Sequence, residues 1–166
     1  MLRRAGLVLA VAVVAALTVV ASASSGQATS VPISWVMIGQ GATGAPSADI
    51  VLPNCGGVPA GVWVKGTGTW TFFDATGAAG NIQSMAHGTA TDNAGNTYRW
   101  NYHQSVQPIG NSGFSKVVDF FVLSGSGPAA GVHSHFIAII DGTSVDEATS
   151  FELLHLLGDP FDCDPI

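Results

Sequence analysis

GTATDNAGNTYRWNYHQ, residues 88–104, decides the fold class. Tyr98, Trp100 and Tyr102 alternate with Arg99, Asn101 and His103, and a period of two marks a strand that turns one face to a core. Upstream, Asp92-Asn93-Ala94-Gly95-Asn96 fits a three-residue hairpin loop: a type I turn at Asn93 and Ala94, closed by Gly95 in the left-handed region. Asp92 then faces Asn96, and the register that follows sets Ala90 opposite Tyr98, Gly88 opposite Trp100 and Ala86 opposite Tyr102. Large rings across from small residues are the complementary packing of a buried face, with Trp100 covering a strand glycine. The opposite face carries Met85, His87, Thr89 and Thr91 beside Thr97, Arg99, Asn101 and His103. This polar face is either an ordinary solvated exterior or the lining of a lumen.

On both sides of the hairpin the punctuation is the same. Short apolar runs are separated by Gly, Asn, Asp and Pro, which predicts an all-β chain. Strands are expected near Ile33–Ile38, Asp49–Leu52, Val62–Phe73, Ile82–Thr91, Thr97–Val106, Ser115–Leu123 and Val132–Ile140. The spacing suits an antiparallel meander with hairpin connections, closed as a small β-barrel or β-sandwich. The segment TSFELLHLLG, 149–158, supports two readings. Thr149 with Glu152 forms a capping-box pattern stopped by Gly158 and Pro160, which describes one short C-terminal helix. Phe151, Leu153, His155 and Leu157 also alternate, and a last strand is the preferred reading.

The chain of 166 residues opens on Met1-Leu2-Arg3-Arg4, an apolar run from Ala5 to Val20, and Ala21-Ser22-Ala23. A basic start, a short apolar stretch and a small-x-small site predict a secretory signal peptide over residues 1–23, leaving 24–166 as a single secreted β domain with no transmembrane anchor after cleavage. Lys65, Arg99 and Lys116 then stand against 11 acidic residues, a net charge of −8. Nucleic acid and anionic membrane surfaces need basic patches, so neither is an expected partner. Asp141, Asp146, Glu147, Glu152, Asp159, Asp162 and Asp164 crowd the C-terminal end, but no DxDxDG-type calcium loop is among them. Cys55 and Cys163 are an even pair without CxxC spacing, which in an oxidising compartment reads as one structural disulfide.

Few residues carry candidate chemistry. His87, Arg99, Asn101 and His103 share one face of the hairpin and form the floor of a ligand site if that face lines a pocket. His133 and His135, two apart on a strand, project together and can share a divalent metal ion. With Gly127 they resemble the first half of the cupin motif, G-x5-H-x-H, which implies a β-barrel and a metal held by the two histidines, a glutamate and a later histidine. The chain has Ile139 and Ile140 where that glutamate would fall, and the second half of the motif is not found. Asp119, inside KVVDFFVL, is a carboxylate among apolar neighbours and completes a His/Asp cluster if its strand pairs in the right register with the next. Its structural alternative is a carboxylate on an edge strand, paired with Arg99 or with a hydroxyl. No GxSxG, reactive-cysteine or Ser/His/Asp pattern is present. The reading that follows is a non-catalytic binding or structural module of the cell exterior. Its alternatives are a metal-dependent, cupin-like enzyme using His133 and His135, and a carrier of apolar small ligands lined by Tyr98, Trp100 and Tyr102.

Overall fold

The computed structural model describes residues 28–75, 81–141 and 152–159. They form eight strands: β1 (Ala28–Ile38), β2 (Ile50–Leu52), β3 (Trp63–Ala75), β4 (Asn81–Asp92), β5 (Thr97–Pro108), β6 (Phe114–Gly125), β7 (His133–Asp141) and β8 (Glu152–Asp159). All belong to one sheet in the order β2-β1-β3-β4-β5-β6-β7-β8, curled into a half-barrel. Within 149–158 the described residues are strand, not helix. Among the described residues no helix is long and apolar enough to cross a membrane. The expected signal peptide lies outside the described residues.

From β3 to β8 the sheet is the predicted antiparallel meander. The expectation of hairpin connections throughout fails at one place. β2 pairs parallel with β1, Trp35 against Ile50 and Met37 against Leu52, and lies on the opposite side of β1 from β3. The return crossing runs over residues 39–49, close to the shortest that a parallel pair allows. Asp49 fixes its end: the backbone N–H and the hydroxyl of Ser34 donate to Asp49 Oδ2 at 2.8 and 2.7 Å, and the Asp49 N–H donates to Ser34 Oγ at 3.0 Å.

The β4–β5 hairpin has the predicted register, with Ala90, Gly88 and Ala86 opposite Tyr98, Trp100 and Tyr102. Gly95 sits at φ 84°, in the region expected of it. Asp92 holds the loop. Its carboxylate accepts hydrogen bonds from the backbone N–H groups of Ala94 and Asn96, the Asn96 side chain and the Tyr98 hydroxyl, at 2.8–2.9 Å. Burial alone would raise the Asp92 pKa, but these bonds outweigh it and hold the carboxyl below its ordinary value. Asp92→Ala is therefore expected to cost about 2 kcal/mol at neutral pH. Because the folded-state pKa is the lower one, the part of that advantage linked to ionisation should shrink as pH falls from the ordinary aspartate value through the lowered one, which urea unfolding at pH 7 and pH 2.5 checks.

Aromatic rings fill the inner face. Trp35 lies over Gly66, where an added Cβ would fall 2.1 Å from the indole, and Trp100 reaches across Gly88 to Gly68, where it would fall 2.7 Å from the ring. Only glycine leaves room for rings laid flat on the sheet. Trp100 Nε1 donates to the carbonyls of Thr89 (3.2 Å) and Thr67 (3.3 Å), which ties β5 to β4 and β3. Trp35 meets Trp100 and Phe121 edge-on at 5.7 and 5.5 Å, and Trp70 meets Tyr102 edge-on at 5.8 Å. Cys55 is buried in this cluster, and no cysteine among the described residues is free. Cys163 lies outside the described residues.

Candidate functional site

The two faces of the sheet differ in kind. On the outer face His87, Arg99, Asn101, His133 and His135 are exposed and His103 is half-buried. The polar face of the opening hairpin therefore looks into solvent, and the lumen reading of that face is set aside. His87 is opposite Asn101, as the hairpin register required, with His103 one pair further along opposite Met85. His133 and His135 are outer-face neighbours on β7, and the His135 ring meets the exposed Phe120 ring at 6.0 Å.

Asp119 does not join them. It pairs with Phe136, whereas His135 pairs with Phe120 and His133 with Val122, so the carboxylate and the two histidines lie on opposite faces. One residue of register separates this arrangement from the expected His/Asp cluster. Of the structural alternative, the edge strand and the Arg99 partner fail, because β6 lies between β5 and β7 and Arg99 is on the outer face, whereas a hydroxyl partner is present in Tyr102. Among the described residues no group of three or more His, Cys, Asp or Glu is placed to hold a metal ion. His133→Ala and His135→Ala, exposed and away from the core, are each expected to change stability by no more than about 0.5 kcal/mol, measured by thermal unfolding.

The inner face holds two features side by side. The first is apolar. Ile33, Trp35, Met37, Ile50, Leu52, Trp70, Ala86, Trp100, Tyr102 and Phe121 line a cavity of about 40 Å³, set in a wider opening of about 400 Å³ that is continuous with solvent. No polar atom contributes to its wall. Of Tyr98, Trp100 and Tyr102, the last two border this cavity. Tyr98 is instead fixed by its hydrogen bond to Asp92, and its oxygen accepts the Ala129 N–H at 3.3 Å.

The second feature is polar and buried. Ser84, Gln104 and Asp119 are consecutive partners across β4, β5 and β6, all on the inner face. Asp119 is 0% exposed. Its Oδ2 accepts the Tyr102 hydroxyl at 2.7 Å and the Gln104 side-chain amide at 3.3 Å. Among the described residues Oδ1 has no hydrogen-bond partner, and neither do Ser84 Oγ, Ser134 Oγ, Trp35 Nε1 and Trp70 Nε1. Burial raises the Asp119 pKa to about 6, and the bonds from Tyr102 and Gln104 only partly oppose it. Burial first, and then the charge of Asp119, push the Tyr102 phenol well above its ordinary value. Tyr102 thus stays a neutral donor while its ring forms part of the cavity wall.

Sequence reading found Asp119 from a carboxylate set among apolar residues, but it missed Gln104, Ser84 and Ser134. The alternation that placed Tyr102 inside also places Gln104 inside. A glutamine at the end of an aromatic stripe was the available signal. Compared with known protein families, with curated proteins and with solved structures, the chain matches none.

Proposed function

We propose that the protein is an exported, non-catalytic binding domain whose concave sheet face takes up the apolar part of a small molecule. The observation that carries this reading is the cavity among Trp35, Trp70, Trp100 and Phe121, open at one side and walled without polar atoms. Water gains few hydrogen bonds in such a space, so an apolar group can enter it at little desolvation cost. The signal-like N-terminus and the acidic balance of the chain support export and argue against nucleic acid or an anionic membrane as partner. A Cys55–Cys163 disulfide belongs to the same reading, with Cys55 buried at the edge of the aromatic cluster.

The test is a titration with 1-hexanol followed by tryptophan emission, since three buried indoles wall the cavity. A saturable change is expected in the natural protein. Ala86→Leu, which places a branched side chain in the cavity wall, should abolish it while circular dichroism keeps the β-sheet signature. A strictly linear response in the natural protein, or unchanged saturation in the folded variant, would count against the reading.

A further inference from the structure

We infer that the ligand is an amphipathic amine, its apolar body in the cavity and its ammonium group on the free oxygen of Asp119. The inference rests on the cavity reading above and specifies the ligand's charge.

Geometry joins the two features. Tyr102 walls the cavity with its ring and donates its hydroxyl to Asp119. Phe121, another wall residue, is two positions from Asp119 on the same strand face, and Ser134 is directly opposite Phe121. Asp119 Oδ1 and the hydroxyls of Ser84 and Ser134, which lack partners among the described residues, lie on the same sheet face as Trp70, Tyr102 and Phe121, behind the cavity wall rather than in it, so an ammonium reaches Oδ1 past the Tyr102 ring.

Charge decides what that polar end must be. A buried carboxylate with one unpartnered oxygen is among the most costly groups a fold can carry. Among the described residues no Lys or Arg serves as its counter-ion, because Lys65, Arg99 and Lys116 all belong to the outer face. Among the described residues, Tyr102 and Gln104 from β5 hydrogen-bond Asp119 and Phe136 from β7 lies opposite it, and of these Tyr102 alone titrates. Neutralisation is left to a proton, which burial favours by raising the Asp119 pKa, or to a cation brought by the ligand. The unpartnered indole N–H groups of Trp35 and Trp70 cannot be served by an ammonium, since both are donors. Leaving a neutral N–H unpaired costs far less than leaving a charge so, and the carboxylate sets the preference. The aromatic faces around the cavity add their own attraction for a cation.

The experiment compares hexylamine, protonated at pH 7.5, with 1-hexanol on the natural protein and on Asp119→Asn. That variant removes the buried charge and keeps the side-chain shape, so it should fold. The expected result is that hexylammonium binds at least about tenfold more tightly than hexanol. In Asp119→Asn the two should bind alike, and in the natural protein the preference should shrink at pH 5. Equal binding of the two by the natural protein overturns the amine assignment and leaves the apolar site standing. A preference that survives in Asp119→Asn also overturns it, because the cation is then held elsewhere. Binding of neither compound removes the cavity reading and the inference together.

Discussion

Trp100→Ala is expected to lower the unfolding free energy by about 3–5 kcal/mol, the range for deleting a fully buried large aromatic. The ring is 2% exposed, lies stacked beside Phe121 at 6.4 Å and edge-on to Trp35, and covers the bare backbone at Gly68. Its N–H is shared between two carbonyls of neighbouring strands. Removing it opens the centre of the inner face, and no neighbour can collapse into a site whose floor is glycine backbone. Trp100→Phe retains part of the apolar contact but no N–H, and its loss should be smaller. Urea denaturation gives the comparison, with the shift expected in the midpoint rather than the slope. A loss below about 1 kcal/mol for the alanine variant would show that the aromatic cluster is not the centre of the core.

Asp119→Asn is expected to act in the other direction above pH 6. The folded-state pKa of about 6 exceeds the ordinary 3.8, so between those values the folded protein holds a proton that the unfolded chain has released. Stability contributed by that proton is fully present below about pH 4 and is lost as pH rises through about 6. The loss is about 3 kcal/mol, from about 1.4 kcal/mol per pH unit. Asp49 and Asp92 have lowered pKa values, and their contribution fades only as pH falls below 3.8, outside this window. The asparagine variant, measured without ligand, should match the natural protein near pH 4 and exceed it by about 3 kcal/mol near pH 7.5. Parallel stability profiles for the two proteins from pH 4 to pH 7.5 would show that Asp119 is not strained by burial.

Much of the sheet was legible because its information is local. The Asp92–Asn96 loop fixes a register through one glycine conformation and one carboxylate, and strand alternation then assigns every side chain of β4 and β5 to a face. The last strand was harder, since Thr149 and Glu152 also spell a helix start, and pairing with β7 settles residues 152–159 as strand. The parallel placement of β2 was not legible. It depends on Asp49 meeting Ser34 and on an edge of β1 left open by β3, neither of which a local pattern encodes.

The site divides along the same line. Sequence alone determined the all-β class, the hairpin register, the inward aromatic stripe and the presence of an acid among apolar residues, because each follows from periodicity and turn chemistry within a few residues. Only the tertiary structure decided where that acid points. The β6–β7 connection, residues 126–132, is too long to fix parity, and a slip of one residue exchanges the faces. The observed register sends Asp119 inward beside Tyr102 and a cavity and leaves His133 and His135 outside, since long-range strand pairing, not local preference, sets which side chains share a face.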